Sequence, residues 1–155
     1  MKKRVVLACG SAVLALLASS STSSIAGWRD ASNKNFNRVS SFAINRNLPS
    51  GVKSTTKTSA ETITATKDGK TLIYTDSDLG VVGIIDITDP SDPKGEGIIE
   101  LDAEPTSVME RKGKIFVGIN TSESYTNPSG SITSYDLKSG IKSKECNVGG
   151  QPDSV

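Results

Sequence analysis

The stretch Glu104-Pro-Thr-Ser-Val108 returns as Gln151-Pro-Asp-Ser-Val155, 47 positions later (151 − 104). Each copy sets a polar residue before proline, adds two small polar residues and then steps into an apolar position. Ala60-Glu61-Thr62-Ile63 is a looser copy of the same phrase. A unit that recurs at such a spacing is the signature of a repeat architecture and restricts the fold more than any composition does.

The segments between the copies have the texture of short strands. Thr62–Thr66 and Thr71–Thr75 flank Lys67-Asp-Gly-Lys70, whose Asp-Gly centre is a strong hairpin signal. Val81–Ile87 is apolar enough to be a strand buried on both faces. Asp89-Pro-Ser-Asp-Pro93 breaks the ladder and closes turns through aspartate, and Gly97–Leu101 is the next strand. The cycle then restarts: strand Thr106–Glu110, turn Lys112-Gly113, strand Lys114–Ile119, a longer loop 120–130, strand Ser131–Leu137, turn 138–140 and strand Ser143–Val148. Landmark spacings drift from 44 (Gly69 to Gly113) to 50 (Asp86 to Asp136), and the drift belongs in the loops if strands set the repeat.

Four short antiparallel strands in roughly 40–50 residues make the blade of a β-propeller. A β-sandwich also spaces its strands closely, but it does not require the same turn chemistry to recur in order. The fold expected is all-β, a β-propeller of four-stranded antiparallel blades. Blades fall at about 60–103 and 104–150, and a third opens at Gln151. Propellers use ~4–8 blades. The chain is therefore expected to be the N-terminal part of a longer propeller, with the remaining blades beyond Val155. Phe36–Ile44 reads as a further strand, bulged at Ser40-Ser41, that would help to close the ring. Asn45–Ser59, rich in Ser, Thr and Lys, reads as a loop with no assigned role.

Residues 1–26 read as a secretory signal. Lys2-Lys3-Arg4 precedes an apolar run from Val5 to Leu17, and Ser24-Ile-Ala26 supplies small residues for cleavage after Ala26. The apolar run is shorter than the ~20 residues of a membrane span. Residues 27–35 are a polar leader, and 36–155 belong to the propeller. Periplasmic or secreted localisation follows, with no transmembrane span after cleavage. Cleavage removes three positive charges from a net +1, leaving 1 − 3 = −2. No basic patch marks a nucleic-acid binder. Cys9 falls in the signal, so Cys146 is left either with a partner elsewhere or as a buried thiol.

Blade logic puts the inter-blade links and the loops between second and third strands on one face. That face carries Glu61, Glu104, Asn120, Glu123, Gln151 and Asp153 as candidate ligand-binding residues, because long loops are where ligands bind. Asp76 and Asp78, with Glu104 near them, offer oxygen ligands to a hard cation such as calcium. The same Asp-Ser-Asp also suits an aspartate-capped turn, its commoner use. Asp86 to Asp92 lacks the glycine and glutamate of an EF-hand loop. The chain contains no histidine and no Gly-x-Ser-x-Gly elbow. Hydrolysis in such a chain requires a metal or residues outside it.

Several phrases together carry a resemblance: Asp-Gly-Lys-Thr-Leu-Ile-Tyr-Thr-Asp-Ser (68–77), Gly-Ile-Ile-Asp-Ile-Thr-Asp-Pro (83–90), Glu-Pro-Thr-Ser-Val (104–108), Gly-Ile-Asn-Thr-Ser-Glu-Ser (118–124), Pro-Ser-Gly (128–130) and Gly-Gly-Gln-Pro-Asp-Ser-Val (149–155). From about Phe36 onward the chain resembles the N-terminal part of exported bacterial propellers of the "esterase-like activity of phytase" family. The resemblance implies a phytase-like hydrolase of phosphoric or carboxylic esters, acting on a small-molecule ester or phosphoester; the missing nucleophile would make such hydrolysis metal-assisted or place its residues outside the chain. The alternative is a non-catalytic propeller scaffold that binds a protein, a glycan or a small ligand, since fold does not fix function.

Overall fold

The computed structural model describes residues 37–155. The expected signal and the whole polar leader lie outside the described residues, as does Phe36. Arg38–Val155 form one compact unit.

Eight strands follow one another: β1 (Ala60–Ala65), β2 (Thr71–Asp76), β3 (Val81–Asp86), β4 (Lys94–Glu100), β5 (Glu104–Arg111), β6 (Lys114–Asn120), β7 (Gly130–Asp136) and β8 (Lys142–Asn147). They make two four-stranded antiparallel sheets, ordered β1-β2-β3-β4 and β5-β6-β7-β8. The repeat read from the sequence is thus a repeat of structure. Most of its drift sits in one connection: four residues (77–80) join β2 to β3, and nine (121–129) join β6 to β7.

The turns form for the reasons their residues supply. Gly69 and Gly113 adopt φ of 69° and 75° at their hairpins, where a side chain would be strained. Asp89 Oδ1 accepts the Ser91 amide at 2.9 Å and the Ser91 hydroxyl at 2.6 Å, closing the Asp-Pro turn as its chemistry requires.

Ile73, Val82 and Ile99 of the first sheet share one buried core with Val108, Ile115, Val117, Ile119 and Tyr135 of the second. Burying each such side chain contributes about 1.5–3 kcal/mol. The two sheets meet through opposite faces of the repeated unit, which follows from hydrogen-bond phase. Bonded and non-bonded pairs alternate along an antiparallel ladder, and the side toward which a residue bonds fixes the face its side chain takes. Thr66 N–H donates to Thr71 O at 3.0 Å, so Ile73 bonds toward β1. Leu137 N–H donates to Gly113 O at 3.0 Å, so Val117 bonds toward β7. Ile73 and Val117 therefore point from opposite faces of equivalent sheets. The second-sheet counterparts of Ile73, Val82 and Ile99 are Phe116, Ile132 and Cys146, on the face turned away from the core.

Two expectations need correction. The strand expected over Phe36–Ile44 is absent: residues 37–43 are irregular, and Ile44–Asn47 is a short 3-10 helix. Most of the segment is exposed and pairs with no sheet, so its mixed pattern never meets a ladder that would impose alternation. Instead the buried Asn47 side chain reaches β3 and β4. The strand expected over Thr106–Glu110 also begins two residues earlier, at the start of the repeated motif. Glu104 and Pro105 lie inside β5, Pro105 is buried, and it pairs with Ile119 just before a bulge at Thr106. Proline fits there because β5 is the terminal strand of its sheet. Of the two readings of Cys146, the structure excludes the buried thiol, since every residue of β8 is exposed.

Candidate functional site

Starts of β1 and β5, the β2–β3 and β6–β7 connections and the β4–β5 link all gather at one edge of the two sheets, as the pairings Ala60–Asp76–Val81–Glu100 and Glu104–Asn120–Gly130 require. Only three residues separate Glu100 from Glu104. A Cβ on Gly80 would lie 4.0 Å from the Ala103 carbonyl, so the β2–β3 turn abuts that link.

Within this edge the second sheet builds a pocket of about 220 Å3 lined by Asn120, Ser122, Ser124, Tyr125, Pro128 and Gln151. Its wall is stiffened from within. Asn120 donates to Glu104 Oε2 at 3.1 Å and accepts the Ser122 amide at 3.0 Å. Ser122 Oγ donates to the Ser129 carbonyl and accepts its amide, both at 3.0 Å. Glu123 accepts from the Asn127 side chain at 3.0 Å across the loop tip. Such local bonds replace a ladder where nine residues would otherwise be free. Tyr125 stands fully exposed at the rim.

The floor behind this pocket depends on glycine. A Cβ at Gly130 would lie 2.4 Å from Pro152 Cδ, and one at Gly118 would lie 2.6 Å from Ser107 Oγ. Pro152 thus seats on two residues without side chains, and Thr106 Oγ1 donates to its carbonyl. The two copies of the motif touch each other, which brings Gln151 beside Asn120.

Of the expected site residues, the structure therefore gathers Glu104, Asn120 and Gln151. Glu123 serves the loop, while Glu61 and Asp153 are exposed and make no side-chain hydrogen bond among the described residues. Asp76 and Asp78 lie at the β2–β3 turn. Asp76 is 0 % exposed. Its Oδ1 accepts the Leu79 amide at 3.2 Å, and its Oδ2 has no hydrogen-bond partner. A buried acceptor left unmatched costs about 1–3 kcal/mol, and more when charged. Asp78 Oδ1 is held at 2.9 Å by Lys57. That hydrogen bond and the Asp78 charge raise the Lys57 pKa, and Asp76 adds a weaker push in the same direction. Lys57 is mostly exposed, so the pair adds little to stability. Glu104 does not complete a cation cluster: among the described residues no three His, Cys, Asp or Glu side chains are grouped to hold a metal ion.

At the opposite edge, among the hairpin turns, a wider cleft of about 800 Å3 separates the sheets, with Lys67, Lys70, Lys112 and Lys138 around it. Three of its carboxylates are committed to their own turns. Asp68 accepts the Lys70 amide at 3.2 Å, Asp86 the Thr88 amide at 2.8 Å and Glu110 the Gly113 amide at 2.7 Å.

Sequence reasoning missed Tyr125, Pro128 and Lys57. A tyrosine and a proline inside a long loop are the only signals for the first two, and nothing in the sequence pairs Lys57 with Asp78. No protein-family model matches the chain, and no curated protein matches it.

Proposed function

We propose that the chain forms successive blades of an exported β-propeller whose loop edge binds a neutral carbohydrate in the Asn120–Tyr125–Gln151 pocket. The observation that carries the binding reading is the composition of that pocket: side-chain amides and hydroxyls beside one exposed aromatic ring. Amides and hydroxyls match sugar hydroxyls, and a tyrosine ring offers a rigid amphipathic face at low entropic cost. The hydrogen-bonded loop is ordered in advance, which lowers the cost of binding.

The propeller reading is supported by the way the sheets meet. Opposite faces in contact, with unit order preserved, is how blades follow one another around a ring, and the Lys2–Ala26 pattern supports export.

Titration of the 15N-labelled chain with a panel of neutral oligosaccharides tests the site. Saturable shifts of the Asn120 and Gln151 side-chain amides are expected, and Tyr125→Ala should abolish them. The absence of shifts across the panel, or shifts unchanged by Tyr125→Ala, overturns the reading. Turnover of p-nitrophenyl phosphate or acetate would instead favour the ester hydrolase implied by the family resemblance.

A further inference from the structure

The orphaned oxygen of Asp76 has no explanation in the fold. Hydrogen bonding accounts for Oδ1, and burial removes Oδ2 from bulk water. An aspartate whose only task was to cap the β2–β3 turn would need only the first oxygen, and Asp136, which caps the β7–β8 turn, does so from a half-buried position. The second oxygen asks for a donor or a cation. Lys57 does not meet this need, because its ammonium bonds to Asp78 and the side chain lies largely in solvent.

We propose that the β2–β3 turn is a binding site for a hard divalent cation of the calcium type, with Asp76 Oδ2 and the Asp78 carboxylate as its protein ligands and Lys57 as the group it displaces. Two carboxylates from positions two apart in one tight turn supply charge without the crowding of a third. Calcium completes its shell readily with water and backbone carbonyls, so no third acidic side chain is required. Lys57 then holds the turn in the absence of the ion. It belongs to the Ser/Thr/Lys-rich loop 45–59, so cation binding would release that loop from Asp78. A site with two carboxylates and open water positions belongs with weak extracellular calcium sites, with Kd on the order of 0.1–1 mM.

Terbium(III) luminescence excited through tyrosine reads the site directly. Tyr74 lies two residues before Asp76 on the same strand, and hence on the same face. It feels the Asp76 charge, which helps burial to raise its pKa. The full chain should give saturable sensitised emission that calcium competes away. Asp78→Asn, at the more accessible ligand, should lose it while the far-ultraviolet circular dichroism stays unchanged. Lys57→Gln should tighten binding by about 1.5- to 5-fold, the range that loss of an exposed ion pair allows. Asp76→Asn should raise the melting temperature in EDTA and remove the calcium-dependent rise seen in the native chain. Emission that survives Asp78→Asn, emission that calcium does not compete, or an equal calcium response in Asp76→Asn overturns the proposal.

Discussion

The Asn47 side-chain nitrogen lies 3.1 Å from the Tyr74 hydroxyl, joining a short 3-10 helix to the middle of β2 across 27 residues. The same nitrogen lies 3.2 Å from the Ile84 carbonyl and 3.0 Å from that of Gly97, while Asn47 Oδ1 accepts the Gly97 amide at 2.9 Å. Gly97 sits at φ 107°, beside the bulge that separates β3–β4 pairing into two registers. Asn47 thus satisfies backbone groups that the bulge strands, and does so while buried. Asn47→Ala should cost about 3 kcal/mol, because several buried groups lose their partner at once. The measurement is the urea midpoint of the full chain, with the slope unchanged.

Gly83 faces Tyr74 across the ladder, and a Cβ there would fall 2.0 Å from the ring. The ring is buried and hydrogen-bonded to Asn47, so it has no room to retreat. Gly83→Ala should destabilise by about 1–3 kcal/mol, the usual cost of overpacking. Near-ultraviolet circular dichroism should lose tyrosine signal before far-ultraviolet signal falls. Gly97 shows no neighbour within 4 Å, so a side chain there would be penalised by its φ rather than by space.

Turn aspartates set the acid limit. The Thr66 hydroxyl and then the Lys70 amide hold the Asp68 carboxyl below its ordinary value of 3.8. Thr88 does the same for Asp86, Ser91 for Asp89, and the Ser139 amide and hydroxyl for Asp136. A depressed folded pKa means that the unfolded chain takes up protons first. The contribution is complete above the unfolded value and disappears as pH falls through the folded one. The melting temperature should therefore hold steady down to about pH 5 and fall below about pH 4. Asp136→Asn should flatten part of that fall, and carboxyl chemical shifts give the individual midpoints.

Cys146 should react with a thiol-specific dye without denaturant, at a rate close to that of a small-molecule thiol. Its exposure on β8 is the cause. A reaction that needs denaturant would contradict the arrangement of the second sheet.

All eight strands were legible in the sequence to within a few residues, because Asp-Gly, Lys-Gly and Asp-Pro punctuate them with specific turn chemistry. What was not legible was facing. Aligning Gly69 with Gly113 sets Ile73 opposite Val117, yet the two hairpins differ in length: residues 66–70 connect β1 to β2, and only Lys112-Gly113 connects β5 to β6. The shift in phase makes Phe116 the counterpart of Ile73, as a one-residue slip always exchanges faces. The site was legible in outline, since Asn120 and Gln151 do meet. Their meeting depends on Pro152 seating over Gly118 and Gly130, which no local pattern announces. The Asn47 anchor was hidden for the same reason: an asparagine in a polar loop, with Asn45 two residues before it, carries no sign of the carbonyls it will find.

Contact through unlike faces has a consequence for symmetry. Two objects that touch by the same patch satisfy each other and stop, whereas two that touch front to back leave a front and a back unspent. Here the back of the first sheet is partly covered by its own leading segment, with Leu48, Pro49 and Val52 lying beside Val81 and Ile98. The front of the second sheet presents Phe116, Ile132 and Cys146 in the places that Ile73, Val82 and Ile99 occupy in the first. The pair is therefore directional, like one step of a spiral stair, with a landing built at one end and a tread offered at the other.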